Sequence, residues 1–400
     1  MSDTVAAPKH AAASQTTLAI IVALAFSHML NDIMQSLLTA IYPILKSNYG
    51  LDFVQIGLLT FTFQVTASLL QPAIGMYTDK HPLPYSLAAG MASTMVGLIV
   101  LGVANTYWLL LVGAACIGLG SAVFHPESSR VARLASGGRH GLAQSLFQVG
   151  GNLGSAIGPL LAAFVVLPRG QQSVSWFAIG SLLGIFILWR VGNWYAAHRR
   201  ANAGRPAMST AMPFDRRTTL IALAVLTVLT LTKNSYMASL SSYYTFFLID
   251  KFGVGVQDSQ LLLFVYLGAS ALGVFLGGPI GDRFGAKFVI WFSILGVLPF
   301  TLALPYADLT WTVVLTVIIG LVFSSAFSAI VVFAQELMPG RVGMIAGIFF
   351  GFAFGAGGIA AAALGAVADV TGIGYVFWLC SFLPLAGLLT VLLPEMRPVH

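Results

Sequence analysis

Residues 17–45 form a run apolar enough to sit in a membrane, yet its middle reads Ser27-His28-Met29-Leu30-Asn31-Asp32-Ile33-Met34-Gln35-Ser36. At about 3.6 residues per turn, His28, Asp32 and Gln35 share one helical face, with Asn31 beside them. Asp32 falls near the midpoint of the run, where a charge turned to lipid costs at least about 2.5 kcal/mol. Such a residue belongs in a polar cavity or against a partner, where it can bind, exchange a proton or both. A base stands at matching depth in the run 218–250: Lys233, followed by Asn234 and Tyr236. The acid and the base either face each other or share a substrate, and the bland alternative is a structural ion pair.

A second polar group closes the fourth apolar run, Phe124-His125-Pro126-Glu127-Ser128-Ser129-Arg130. Pro126 removes a backbone bond and frees a carbonyl. His125, Glu127 and Arg130 form a cluster at the inner mouth, and Glu336 ends the tenth run in a similar way. Charge at a helix end serves function or topology equally well. Gln64, Gln71, Gln144, Gln148 and Asn152 are weaker candidates for the cavity wall. Tyr243 and Tyr244 suit an interfacial belt or an outer gate.

The elements that position these groups are membrane helices. The chain has 400 residues, 58% hydrophobic and only 8% charged, with mean hydropathy +0.90. Soluble domains carry about 25% charged residues. Twelve apolar runs follow one another, at 17–45, 53–77, 83–104, 107–133, 139–167, 173–197, 218–250, 259–281, 286–304, 309–337, 341–368 and 373–393. The net charge of +6 reflects topology instead of nucleic-acid binding. If the N-terminus is cytoplasmic, Lys9, Lys80, Arg130, Arg133, Arg139, Arg190, Arg199, Arg200, Arg205, Arg216, Arg217, Arg283, Lys287, Arg341 and Arg397 lie inside. Only Lys46, Arg169 and Lys251 lie outside, so both termini are expected in the cytoplasm. Cys116 and Cys380 are isolated in apolar runs and make no disulfide framework or metal site.

The chain is also a repeat. Thr16-Thr17-Leu18 recurs as Thr218-Thr219-Leu220. Gly75, Asp79 and Lys80 recur as Gly278, Asp282 and Arg283, and Gly138, Arg139, Gly141 and Phe147 as Gly340, Arg341, Gly343 and Phe349. The common offset of 202 or 203 residues divides the chain into a tail, 1–16, a six-helix bundle, 17–197, a linker, 198–217, and a second bundle, 218–400. Two halves of six helices share one orientation, with their symmetry axis along the membrane normal. Glycines four residues apart mark the fifth, eighth and eleventh runs: Gly150, Gly154 and Gly158 before Pro159, then Gly273, Gly277 and Gly281, then Gly347, Gly351 and Gly355. Such ladders let helix backbones approach closely.

The turn Gly278-Pro279-Ile280-Gly281-Asp282-Arg283-Phe284-Gly285-Ala286-Lys287 resembles the G-x-x-x-D-[RK]-x-G-x-[RK] signature of the major facilitator superfamily. The earlier copy keeps Gly75, Asp79 and Lys80 but has Pro82 where the later copy has Gly285. An acid among cations at a helix end can hold neighbouring helices in one state and release them in another, so both copies are expected to act as a conformational latch. The Gly158-Pro159 ladder resembles the motif of exporters in the superfamily. Ser27 to Asp32, Phe124 to Asn152, Ser241 to Leu248 and Phe327 to Arg341 look closely like the fosmidomycin resistance proteins, a bacterial branch. The resemblance implies an all-α fold of twelve transmembrane helices in two pseudo-symmetric six-helix bundles. It also implies that helices 1, 4, 7 and 10 line a central cavity. One departure stands out. Many proton-coupled drug exporters carry an arginine in helix 4 where this chain has Ala114.

The expected function is proton-coupled export of a small anionic antibiotic such as fosmidomycin, a phosphonate, across the bacterial inner membrane. Lys233 attracts the anion, Asn31, Gln35 and Asn234 hydrogen-bond its other end, and Asp32 is the proton-linked switch, its charge balanced by Lys233 until substrate engages. The expected partners are the drug, protons and the bilayer, with a monomeric chain, no cofactor, no metal and no nucleic acid. The alternatives are an importer of an anionic metabolite on the same fold, or a membrane-embedded enzyme or sensor. The last has no catalytic set in its favour, and His28 with Asp32 alone gives too few metal ligands.

Overall fold

The computed structural model describes residues 16–203 and 211–396. Lys9, Arg205 and Arg397 lie outside the described residues, as do most of the N-terminal tail and the middle of the linker. The described residues are helical throughout, without strands.

The first half contains α1 (Leu18–Ala40), the broken α2 (Phe53–Gln64, Val65–Leu69 and Gln71–Lys80), α3 (Ser86–Val103), α4 (Tyr107–Ala135), α5 (His140–Arg169) and α6 (Gln171–Ala201). The second contains α7 (Arg216–Phe252), α8 (Val256–Phe284), α9 (Ala286–Tyr306), α10 (Leu309–Leu337), α11 (Val342–Thr371) and α12 (Ile373–Leu392). Starts follow local chemistry. Asp52 and Gln55 form a capping box before α2. The carboxylate of Asp215 accepts from the N–H groups of Arg217 and Thr218 at the start of α7, and Asp308 accepts from Trp311 at the start of α10. Around the expected linker, α6 runs on to Ala201, the Asp215 cap starts α7 at Arg216, and residues 204–210 lie outside the described residues.

Eleven helices among the described residues are long and apolar enough to cross a membrane. The twelfth expected span, 53–77, is interrupted by a π-helical turn at Val65–Leu69 and by Pro72. Proline has no N–H for the carbonyl four residues back. That carbonyl belongs to Ser68, and it faces Gly351 of α11.

The two ends of the bundle differ. At the linker end, the Thr17 N–H donates to the Ala135 carbonyl at 2.8 Å, and Arg199 reaches the Pro82 carbonyl at 3.0 Å. There the two halves meet, α5 against α8 and α2 and α4 against α11. Gly75 lies on Gly343 and Gly141 on Gly278, so close that a Cβ at either would overlap backbone. Farther along α11 the contact with α2 is lost. A side chain added at Gly355, Gly357 or Gly358 would meet nothing within 4 Å. Large apolar side chains such as Trp108, Phe164, Ile179, Phe264 and Val391 are exposed around the outside, as a lipid-facing surface requires.

A candidate substrate and coupling site

α5 brings the polar stripe of α1 into a closed cluster. Its glycine ladder lies directly on α1: a Cβ at Gly150 would strike the Ala25 carbonyl, at Gly154 the Met29 carbonyl, and at Gly158 the Ser36 hydroxyl. The ladder therefore performs close packing, which lets Ser155 and Gly151 reach Asp32. Asp32 is 7% exposed. Its Oδ1 accepts from Asn31 Nδ2 at 3.2 Å and Gln35 Nε2 at 3.0 Å, and its Oδ2 accepts from Ser155 Oγ at 3.5 Å. Nε2 of His28 stands 3.5 Å from Oδ2, and Nε2 of His125, from α4, stands 3.9 Å from Oδ1.

Both imidazoles are held from behind. His28 Nδ1 is 2.7 Å from the Phe147 carbonyl, and its ring stacks on Phe147 with centroids 4.0 Å apart. His125 Nδ1 is 3.0 Å from the Ser121 carbonyl. A carbonyl only accepts, so Nδ1 carries the proton in both rings and Nε2 is turned to the carboxylate. Ser121 Oγ donates to Gln35 Oε1 at 2.9 Å, tying α4 to α1.

Lys233 is buried in the other half, its Nζ 5.8 Å from the centre of the Phe327 ring. No carboxylate of the described residues lies within 4.0 Å of it. The expected direct balance between Asp32 and Lys233 is not made in this conformation. Ring contacts link their surroundings: Phe327 lies against Phe350 at 5.3 Å, and Phe350 against His125 at 5.1 Å. Tyr236 lies one turn beyond Lys233, edge-on to Phe323 at 5.3 Å. Tyr236 Oη and Asn234 Nδ2 are buried without a hydrogen-bond partner among the described residues.

The Major Facilitator Superfamily model matches residues 24–243 and 222–400, which together span nearly the whole chain. The chain belongs to the major facilitator superfamily. This superfamily member is 55% identical over 384 residues to the fosmidomycin resistance protein of Escherichia coli (strain K12), covering 96% of the chain and 95% of that protein. It is 39% identical over 386 residues to an uncharacterized transporter of Bacillus subtilis (strain 168), covering 95% and 94%. Its fold is similar to that of the transporter FucP, with TM-score 0.72 at 16% identity, covering 94% of the chain and 99% of that protein. The human organic anion transporter MFSD10 matches with TM-score 0.72 at 18% identity, over 95% and 100%. The expected fold class thus holds, and the chain is a membrane transporter, not an enzyme.

Within this superfamily member, the residues grouped at the inner mouth separate into three sites. His125 joins Asp32. Glu127 and Arg130 form a buried ion pair: Arg130 donates from Nε at 3.1 Å and from Nη2 to the carboxylate, and from Nη1 to Tyr195 Oη at 2.9 Å. Ser86 Oγ donates to Glu127 at 3.1 Å. This set clamps α3, α4 and α6. Glu336 lies at the seam between halves near Arg133. There Gln335 Nε2 donates to Ser129 Oγ at 2.9 Å, and Ser129 donates to Gln144 at 2.8 Å.

The two signature turns cross between halves. Asp79 accepts from the N–H groups of Gly343 and Met344, both at 2.9 Å, and Asp282 from Gly141 at 2.7 Å and Leu142 at 2.9 Å. Each carboxylate satisfies unpaired donors at the N-terminus of a helix in the opposite half. Gly285, at φ +90°, turns the chain directly after its copy. Arg283 lies over the Phe284 ring beside it, 5.2 Å from its centre. Sequence reading missed Phe327, Phe350 and the place of His125, because face-to-face depth across α1 and α4 is not written in either helix alone.

Proposed function

We propose that the chain exports a small anionic antibiotic of the fosmidomycin kind across the bacterial inner membrane in exchange for protons. The observation that carries this reading is Lys233, a buried ammonium with no carboxylate within 4.0 Å among the described residues, in a chain so similar to a fosmidomycin resistance protein. An ammonium in a cavity is a natural site for a phosphonate. The hydroxyl of Tyr236 and the amide of Asn234 supply further donors on α7. The substrate lies against Phe327 and Phe350, with Lys233 on one side and Asn31, Gln35 and Asp32 on the other. Coupling then runs through the shared cavity and not through a direct pair, with Asp32 as the proton-linked group.

The charge distribution supports placing the linker, both termini and the closed end in the cytoplasm. Breaking the Asp79 and Asp282 crossings lets the halves rock about the central site. The deciding measurement is fosmidomycin movement in proteoliposomes with an imposed pH gradient. Gradient-driven movement is expected in the wild type and is lost in Lys233→Gln. Full gradient-driven transport by Asp32→Asn removes Asp32 from the coupling, and movement with the proton flux instead of against it turns the reading to import.

A further inference from the structure

We propose that His28, Asp32 and His125 form a binding site for one divalent transition-metal ion of the Zn2+ type. The ligand atoms of the three residues lie within 4.8 Å of one another, two imidazole nitrogens about one carboxylate. α1 alone supplies only two of them, and the third comes with α4.

The orientation of the rings matters more than their proximity. Hydrogen bonding of Nδ1 to the Phe147 and Ser121 carbonyls aims an Nε2 lone pair from each ring at the same anionic group. A histidine that donates its far nitrogen to a backbone carbonyl and presents the near one is the usual arrangement of a metal ligand. His28 is fully buried, and its Nε2 has no hydrogen-bond partner among the described residues. Gly151 of α5 keeps this convergence uncovered: a Cβ there would lie 2.6 Å from His28 Nε2 and 2.9 Å from Asp32 Oδ2.

Donor set and spacing select the ion. Two imidazoles and one carboxylate suit Zn2+, Co2+ or Ni2+, whereas Ca2+ and Mg2+ take oxygen ligands. In a tetrahedron of bonds near 2.1 Å, ligand atoms stand roughly 3.4 Å apart. The observed separations from the carboxylate are 3.5 and 3.9 Å, so a small rotamer adjustment suffices. Three protein ligands leave a fourth position, beside Gln35 and Ser155, for water or an oxygen of the cargo. Lys233 makes no ion pair with Asp32 and does not supply the cation here. The transport reading places a proton at the same carboxylate, so ion and proton exclude each other there, and each has its own test.

The test uses the full chain, purified without a polyhistidine tag and titrated with Zn2+ by calorimetry and with Co2+ by visible absorption. One ion per chain is expected, with the intense visible bands of four-coordinate Co2+. His28→Gln, Asp32→Asn and His125→Gln should each weaken binding by about tenfold or more, while exposed His81→Gln leaves it unchanged. Gly151→Ala keeps every donor and should still weaken binding and shift the Co2+ bands. Size-exclusion profiles identify any variant that fails to fold, and the wild-type stoichiometry and spectrum stand without the variants. Absence of saturable uptake by the wild type overturns the proposal. So does uptake that survives all three ligand substitutions in folded protein. Neither result bears on gradient-driven transport by Asp32→Asn, so the two readings fail independently.

Discussion

Arg130 and Glu127 show how burial sorts charged residues that look alike in sequence. Three residues apart on α4, they satisfy each other and take Tyr195 and Ser86 as further partners. Removing one partner strands the other in a dry interior. Arg130→Ala should therefore cost about 3–5 kcal/mol, read as a lower melting temperature in detergent. Replacing both, as Glu127→Leu with Arg130→Met, should recover most of that loss. Lys233 has the opposite character. Among the described residues it has the Phe327 ring beside it and no ion pair, so Lys233→Gln should leave the melting temperature nearly unchanged while abolishing binding of the anion. A large fall in melting temperature for Lys233→Gln would mark Lys233 as structural.

At the scale of helices, the glycine ladders differ in what they touch. Gly150, Gly154 and Gly158 seat α5 on α1, and Gly347 and Gly351 seat α11 on α2, but Gly355 touches nothing within 4 Å. Gly154→Leu should push α5 from α1, separate Ser155 from Asp32, and reduce both folded yield and transport. Gly355→Ala should be neutral or slightly stabilising, since alanine favours the helix by about 1 kcal/mol over glycine. Equal damage from both substitutions would contradict this packing. The break in α2 is also specific, because Pro72 frees the one carbonyl that meets Gly351.

For the whole molecule, two crossings join the halves at the linker end, and we propose that they control its opening. Asp79 and Asp282 each hold two N–H groups of the opposite half. An asparagine keeps an acceptor but loses the charge, worth about 1–2 kcal/mol at a partly buried helix N-terminus. The Asp79→Asn and Asp282→Asn double variant should open the linker end. Labelling of a cysteine placed at Val332, buried beside the Asp282 crossing, would rise above that in either single variant. Unchanged labelling in the double variant would show that the Gln335, Ser129 and Gln144 seam holds the end closed alone.

Sequence alone determined the membrane class, the two-fold repeat and the superfamily, and it singled out Asp32 and Lys233 as charges within apolar runs. All of these follow from periodicity, composition and motifs carried within single segments. It also placed Asp79 and Asp282 as equivalent, because the offset between the halves is itself a sequence property. Tertiary structure alone decided partners: that His125 joins Asp32 while Glu127, two residues on, turns to Arg130, and that Phe327 lies by Lys233 while Phe350 lies by His125. Helical spacing fixes which side chains share a face of one helix. Which face meets which neighbour depends on helix rotation and packing, and in a bilayer these are set by close contacts such as the α5 glycines on α1, spread over segments distant in the chain.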